Sequence, residues 1–331
     1  MKKFISFFVI INLLLINKAV SQYRMPVYND YLTDNYYVLH PAMAGAHFEG
    51  VKVRSSYRTQ WLGIKNPPSV QSLNIHARVS QKSGVGALFF HDKNGFQSQI
   101  GAQFTYAHHI NFYRSNAEVN QLSFGLTAGA SNYKHDQTSF DLSSGDPLVL
   151  GDFQKSFGGY VDLGITYNLL NLYAHLTIQN LLFKGKDISD EVILTKPRRI
   201  FASLGNFFEV NNKWALEPSL MLDVVEFAKR PNIDLNLKTH HSLRTAQIWG
   251  GFSYRNGLTQ TLAYNQATQY SESFNQLSAI TGFSSKKWTF SYTYTFALND
   301  IKINNSGFHQ FTLGFDLFSD EFTITTVRGI L

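Results

Sequence analysis

Polar and apolar residues alternate one by one along most of this 331-residue chain. In the clearest run, Trp288 to Phe296, every second residue is aromatic and the residues between them are serine or threonine. Successive side chains of a β-strand point to opposite faces, so such a run forms a strand with one apolar and one polar face. Similar runs lie at 99–106, 121–131 and 310–317, and no comparable stretch has the spacing of an amphipathic helix. The sequence predicts an all-β protein.

The length of these runs distinguishes a transmembrane barrel from a soluble secreted β-sandwich or propeller. Many runs extend over 9 to 13 residues, whereas ordinary strands average about 5–6 residues and strands that cross a bilayer need about 9–11. We therefore expect an antiparallel transmembrane β-barrel of the outer-membrane type. Aromatic residues near strand ends suit an interfacial girdle: Trp214, Trp249, Trp288, Tyr57, Tyr133 and Tyr167. Charged residues on the polar faces suit a hydrated lumen: Asp162, Glu217, Asp223, Asp234 and Lys238.

Residues 1–21 have the three parts of a cleavable secretory signal peptide. Lys2 and Lys3 form the basic start, an apolar stretch follows from Phe4 to Ile16, and small residues precede an expected cut before Gln22. The apolar stretch is shorter than the roughly 20 residues of a spanning helix. Three lysines and no acidic residue leave with this segment, so the net charge falls from +6 to +3. The basic balance therefore gives no reason to expect a nucleic-acid partner.

Loop lengths predict fourteen strands and place both chain ends on the periplasmic side. Connections after even-numbered strands are mostly tight, and most of those after odd-numbered strands are longer. The stretch from Leu258 to Gln266 also alternates, and we assign it to an outer loop at 256–272 or to a strand extension, because a fifteenth strand would break this parity. The expected organisation is a signal peptide at 1–21, an N-terminal periplasmic or lumen-facing segment at 22–47, a barrel at 48–318 and a tail at 319–331. The expected strands are 48–58, 69–80, 84–93, 97–111, 117–133, 156–169, 171–183, 198–210, 213–227, 231–242, 245–255, 273–284, 287–298 and 307–318.

Signals for catalysis or metal binding are weak. The chain has no cysteine, which excludes disulfides, cysteine-ligated metals, a thiol nucleophile and an acylated lipoprotein anchor. The histidine pairs His108-His109 and His240-His241 are strand neighbours that face opposite sides, so neither pair can chelate one ion. No zinc-protease, nucleophile-elbow, P-loop or dinucleotide-binding motif is present. We expect a non-enzymatic chain without cofactor or metal, and a hydrolase or protease site assembled inside the barrel is the alternative left open.

An ordered set of short motifs resembles the PorP/SprF family of outer-membrane proteins, which is associated with the type IX secretion system of Bacteroidota. The segment from His40 to Gly45 is similar to the family's NPA-x-AG element, with His40 where asparagine is usual. The segment from Tyr57 to Trp61, followed by Gly63 and Pro67-Pro68, is similar to its YR-x-QW hairpin. Further similar elements follow in the same order: Gly84-Val85-Gly86, Asp92 to Gly95, Glu217-Pro218-Ser219, Trp249 to Arg255, Tyr292-Thr293-Tyr294 and Gly307 to Gln310.

This resemblance implies a non-enzymatic barrel in the Gram-negative outer membrane that supports secretion or surface anchoring of a partner protein. The implied partners are the type IX secretion or gliding machinery, a large surface-exposed cargo of the adhesin type, and the lipid bilayer. Residues 22–47 are the candidate contact for the machinery, and the loops 61–68 and 300–306 are candidate contacts for the cargo. The alternative, based on the polar inner face, is a channel or transporter for small solutes. The candidate partner-contact or family-motif residues are Pro41, Ala42, Gly45, Tyr57, Arg58, Gln60, Trp61, Gly63, Pro67, Trp249, Gly307 and His309. For Trp61 and the prolines, local hairpin structure is an equal explanation.

Overall fold

The protein, seen in a computed structural model, is a closed antiparallel barrel of fourteen strands preceded by two 3₁₀ helices at Tyr36–Val38 and Pro41–Met43. The structure describes residues 35–46, 50–62, 66–112, 120–138, 140, 151–185, 197–226, 231–265, 268–285, 287–298 and 307–318. The expected signal peptide and tail lie outside the described residues. The strands are β1 Val51–Gln60, β2 Ser69–Ser80, β3 Ser83–Asn94, β4 Gln97–Asn111, β5 Asn120–Asp136, β6 Phe153–Leu169, β7 Leu172–Gly185, β8 Arg199–Asn206 continued by Phe208–Glu209, β9 Trp214–Val225, β10 Asn232–Ser242, β11 Ala246–Asn265, β12 Thr268–Ser285, β13 Trp288–Ala297 and β14 Phe308–Leu317.

Each strand pairs with the next along the chain, and the first strand pairs with the last. Ten residue pairs join β1 to β14, from Val51 opposite Leu317 to Gln60 opposite Phe308. Closure satisfies the backbone hydrogen bonds of every strand without leaving a sheet edge, which a chain within a bilayer requires. The predicted all-β barrel of fourteen strands is confirmed.

The two faces of the wall have the polarity of a membrane barrel. Large apolar side chains on the outer face are more than half exposed, for example Phe104 at 66% and Phe252 at 62%. The inner face carries small polar side chains with no exposure, among them Thr127 and Thr166. A soluble β-sandwich buries its apolar faces instead, so this distribution excludes it. Within the described residues, no helix is long and apolar enough to cross a bilayer.

The outer face accounts for only part of the predicted aromatic girdle. Trp214 and Trp288 begin β9 and β13 and are 43% and 48% exposed, and Tyr57 and Tyr167 also face outward. The prediction was wrong for two residues, Trp249 and Tyr133, which are 7% and 6% exposed and face the lumen. A shift of one position reverses the direction of a strand side chain, so proximity to a strand end does not determine which face a residue occupies.

The stretch from Leu258 to Gln266 lies mainly in a strand extension rather than in a separate wall strand. Strands β11 and β12 stay paired from Ala246 opposite Ser285 to Asn265 opposite Thr268, with an irregularity between Gly257 and Thr261. Of the two assignments left open, the strand extension is confirmed and the outer loop at 256–272 is wrong. The neighbouring strand β10 stops pairing with β11 at Gly257. Among the described residues, the hairpin beyond that point therefore pairs only with itself and extends past the paired wall.

The two ends of the barrel differ in their connections. We call the end that carries the β2–β3, β6–β7 and β12–β13 turns the tight-turn end, because two residues make each of these connections. The opposite end, the long-loop end, carries the β1–β2, β5–β6 and β7–β8 connections, of which β5–β6 spans 137–152. The described chain enters β1 at the tight-turn end, and β14 returns to that end.

Candidate functional site

Residues 35–46, here called the plug, lie inside the barrel at its tight-turn end. This stretch lacks the two-residue periodicity of the wall. Two short turns form it instead, with Pro41 at the first position of the second turn and Gly45 at a positive φ of 67°. Residues 37–46 are all buried, and Ala42 and Ala44 have no exposed surface. A segment so enclosed is part of the folded interior rather than a tether beside it.

Hydrogen bonds attach the plug to strands on different sides of the lumen. The Tyr37 hydroxyl donates to Thr105 Oγ1 on β4 at 3.1 Å, and the Gly45 N–H donates to His76 Nδ1 on β2 at 3.1 Å. The two ring nitrogens of His40 hydrogen-bond to Thr177 Oγ1 on β7 at 2.9 Å and Ser203 Oγ on β8 at 3.1 Å. Attachment to four strands resists rotation of the plug as well as its withdrawal.

Glu217 on β9 joins the plug to the wall through a buried carboxylate that is 1% exposed. Its Oε1 accepts hydrogen bonds from the Tyr36 hydroxyl at 2.7 Å and the Tyr173 hydroxyl at 2.8 Å, and its Oε2 lies 2.8 Å from His240 Nε2. Burial raises the pKa of the Tyr36 hydroxyl, and the Glu217 carboxylate raises it further. Tyr36 therefore stays protonated and remains a donor. Hydrogen bonds to a charged group are stronger than neutral ones, so this is the strongest polar attachment of the plug.

Glycines on the wall allow the plug backbone to approach it closely. A Cβ on Gly125 of β5 would lie 2.2 Å from the Ala42 nitrogen, and one on Gly84 of β3 would lie 1.9 Å from the Ala44 oxygen. His109 secures the same carbonyl, because its Nε2 lies 3.0 Å from the Ala44 oxygen and its Nδ1 lies 2.8 Å from Ser123 Oγ. No side chain could occupy either glycine position while the plug keeps this place.

Apolar contacts also hold the plug against the wall. Leu39 packs with Phe201 of β8 and Met221 of β9, and all three are at most 2% exposed. Tyr37 and Ala44 pack with Ala107 of β4. These contacts add apolar burial to the polar attachments, so the plug has its own small core within the lumen.

Beyond the plug, the inner face of β8–β11 carries paired charges towards the long-loop end. Arg199 forms a two-pronged ion pair with Asp223, which also accepts a hydrogen bond from Asn232 at 3.0 Å. Arg255 forms a similar pair with Asp234. The carboxylates predicted to face the lumen are all buried, and each of them accepts a hydrogen bond: Asp162, Glu217, Asp223 and Asp234.

The structure places the predicted motif residues in separate regions. Pro41, Ala42 and Gly45 belong to the plug. Trp249 lies in the lumen near the tight-turn end, where the Lys238 ammonium is 5.3 Å from its ring centroid.

A second group of predicted residues lies at the long-loop end of the β1–β14 seam. The Trp61 N–H donates to the Gly307 carbonyl at 3.3 Å, and the Gln60 N–H donates to the Pro68 carbonyl at 3.1 Å. These bonds close the loop that contains Pro67. The other predicted residues of the seam are Tyr57, which faces outward, Arg58, whose guanidinium is 4.8 Å from the Phe308 ring centroid, and His309, whose Nδ1 is 2.8 Å from the Tyr292 hydroxyl. Gly63 lies outside the described residues.

The predicted site residues omitted the groups that hold the plug. Tyr36, Tyr173 and His109 are isolated in the sequence, and no motif marks them. The alternation pattern indicates that Tyr173 and His109 could share the inner face, but only the closed barrel brings them to one segment. Among the described residues, no group of three or more histidine or acidic side chains is arranged to hold a metal ion.

Comparison with solved structures places the molecule among outer-membrane β-barrels. The CymD monoaromatic hydrocarbon channel superposes with a TM-score of 0.52 at 14% identity, covering 86% of this chain and 92% of that one. The Pseudomonas putida toluene transporter TodX gives 0.44 at 11% identity, covering 89% and 98%, and BamA from Haemophilus ducreyi gives 0.43 at 11%, covering 81% and 70%. At these identities the likeness shows the fold alone. No curated protein sequence matches the chain.

The closed wall, with its likeness to the CymD channel, defines the class: an outer-membrane β-barrel protein. Within that class, residues 20–315 match the family described as type IX secretion system membrane protein PorP/SprF. The chain belongs to the PorP/SprF family, and the resemblance found in the sequence is confirmed.

Proposed function

We propose that the chain is a plugged, non-catalytic barrel that supports type IX secretion or surface anchoring of a large partner protein. The observation that carries this proposal is the plug itself, which lies buried in the tight-turn end of the lumen and is attached to β2, β4, β7, β8 and β9. A barrel closed by its own chain suits a scaffold better than a passage for solutes. Family membership supplies the secretion system that such a scaffold would serve.

The proposal assigns the tight-turn end to the periplasm and the long-loop end to the cell surface, as in other outer-membrane barrels. In this orientation residues 22–47, the segment that contains the plug, are the candidate contact for the secretion machinery. The extended β11–β12 hairpin and the β1–β14 seam are then available to a surface-exposed cargo. Both features project beyond the wall or lie at its rim, where a partner can reach them without entering the bilayer.

Deletion of the gene tests the proposal through surface display. Loss from the cell surface of at least one large type IX cargo is expected, with recovery when the wild-type gene is restored. Uptake of small fluorescent solutes should be nearly unchanged, because the proposed role does not include their passage. Unaltered display of every type IX cargo would contradict the proposal.

The alternative is a channel or transporter for small solutes, favoured by the charged inner face of β8–β11. It predicts steady ion conductance from the purified wild-type protein in a planar bilayer. Under the scaffold proposal, the wild-type barrel conducts little because the plug occupies the lumen. Conductance of the intact protein comparable to an open barrel would favour the channel.

A further inference from the structure

The outer face of β3–β6 carries a row of three lysines near the long-loop end. Strand register places Lys93 opposite Ser98, Ser98 opposite Lys134, and Lys134 opposite Lys155. All three lysines share the alternation phase of the lipid-facing residues on their strands, such as Phe89 on β3. They therefore form one basic row on the outside of the barrel.

Two of these lysines are direct cross-strand neighbours. Side chains opposite each other on paired strands have Cβ atoms about 4.5–5.5 Å apart, and like charges in this position are destabilising. Lys134 and Lys155 keep this arrangement, and the Lys134 ammonium also lies 3.7 Å from the Phe153 ring centroid. Asp136 is the nearest acid along β5. It lies one row further from the membrane and accepts two hydrogen bonds from Thr138. An anion beside the lysine row would offset the repulsion.

Next to the lysine row, on the side away from the long-loop end, the outer face contains a groove of about 620 Å³. Its row nearest the lysines includes the polar residues Gln71, His91 and Asn132. Its floor is made of small side chains, because Ala102 lies opposite Ala130. Its walls are large and exposed: Leu73, Phe89, Ile100 and Phe157.

From the long-loop end towards the middle of the barrel, this face presents lysines, then polar side chains, then an apolar groove with a floor of small residues. An anionic lipid in a membrane has the matching sequence of a charged headgroup, a polar linkage and an acyl chain. From this order we propose that the face binds one phosphorylated lipid of the outer leaflet, with its phosphate at Lys93, Lys134 and Lys155 and an acyl chain in the groove. Lysine binds phosphate as a point charge and tolerates varied headgroups. The inference uses the orientation proposed above, and it is independent of which cargo the barrel serves.

Titration of the purified, detergent-solubilised protein with diphosphoryl lipid A, followed by native mass spectrometry, tests the proposal. Each basic residue near a membrane surface contributes about 1 kcal/mol to binding an anionic lipid, which is about fivefold in affinity. The triple variant Lys93→Gln, Lys134→Gln, Lys155→Gln should therefore bind on the order of 100-fold more weakly. The matched control, Lys82→Gln, Lys213→Gln, Lys287→Gln, removes three exposed lysines at the tight-turn end and should bind like wild type.

A second variant separates the groove from the charges. Ala130→Phe fills the floor of the groove without changing any charge. It should weaken lipid A binding at least tenfold, while heat-modifiable migration on gels shows that the barrel still folds. Dephosphorylated lipid A should bind weakly to wild type.

Three results would overturn the proposal. They are equal losses in the two triple variants, undiminished binding to Ala130→Phe, and displacement of the lipid by millimolar inorganic phosphate. A dimer of this chain that disappears in Ala130→Phe would instead assign the groove to a second copy.

Discussion

At the residue scale, the phenol of Tyr36 and the phenol of Tyr37 form a natural pair for comparing charged and neutral hydrogen bonds. Tyr36 donates to the buried Glu217 carboxylate, whereas Tyr37 donates to the Thr105 hydroxyl. A hydrogen bond to a charged group contributes about 1.5–3 kcal/mol and a neutral one about 0.5–1.5. We expect Tyr36→Phe to weaken plug docking by about 2 kcal/mol and Tyr37→Phe by about 1 kcal/mol.

Plug docking can be measured through a single reactive thiol, because the wild-type chain contains no cysteine. Ala46 is 4% exposed at the end of the plug. In an Ala46→Cys background, the rate of maleimide labelling relative to the same protein in denaturant reports how often the plug opens. The expected order is wild type slowest, then Tyr37→Phe, then Tyr36→Phe. Equal effects of the two substitutions would contradict a charged anchor at Glu217.

Buried His40 makes plug docking dependent on pH. Burial lowers the pKa of His40 to about 3 in the docked state, against about 6.5 for an undocked imidazole. The undocked state therefore binds the proton more readily. Docking stability is fully present above pH 6.5 and is lost as the pH falls towards 3, by about 1.4 kcal/mol per pH unit.

His40 alone should therefore raise the labelling ratio about 30-fold between pH 7.5 and pH 5. His40→Asn, which restores the residue usual in the family motif, should remove the His40 share of this rise. It leaves any share from His76, His109 and His175, which also contact the plug. An identical pH profile in wild type and His40→Asn would show that His40 is not the group responsible.

The close approach at Gly125 can be tested with one methyl group. Gly125→Ala places a Cβ 2.2 Å from the Ala42 nitrogen, so the plug must move. Gly250→Ala is the matched control, because its Cβ would meet the Ile280 oxygen at an ordinary 3.6 Å. We expect labelling of Ala46→Cys at least tenfold faster in Gly125→Ala and unchanged in Gly250→Ala. Heat-modifiable migration on gels checks that both barrels fold, and slow labelling of a folded Gly125→Ala would contradict the docked position.

At the scale of elements, the β11–β12 hairpin beyond Gly257 is separable from the barrel wall. In the part of the chain that the structure describes, its residues pair only across the hairpin, from Thr261 opposite Glu272 to Asn265 opposite Thr268. Replacing residues 258–273 with Asn-Gly would join Gly257 to Phe274, which already face each other, through a favoured two-residue turn. The shortened barrel should keep its heat-modifiable migration, and under the proposed function its cargo display should fall. Failure to fold would show that the extension stabilises the wall.

At the scale of the whole molecule, the plug should control passage through the lumen. Wild type is expected to conduct little in a planar bilayer, and the folded Gly125→Ala barrel is expected to open more often because its plug is displaced. Gly250→Ala serves again as the control and should behave like wild type. If Gly125→Ala labels rapidly but conductance stays at the wild-type level, the lumen is closed by something other than the plug.

Much of the barrel could be predicted because strand direction is a local property. The predicted 69–80 strand coincides with Ser69–Ser80, and 231–242 differs from Asn232–Ser242 by one residue. The errors arose where the local signal was ambiguous. The predicted loop at 256–272 contains alternating residues and became paired strands, while Trp249 and Tyr133 face the lumen although they lie near strand ends.

By itself, the sequence determined the wall of this protein: its all-β character, its fourteen strands and the apolar direction of their outer faces. Alternation sets these properties residue by residue, and the bilayer requires the sheet to close. Only the tertiary structure decided what lies inside. The plug meets partners from 31 positions away, at His76, to 181 positions away, at Glu217. No local pattern encodes such contacts, because they exist only once closure has brought distant strands around one segment.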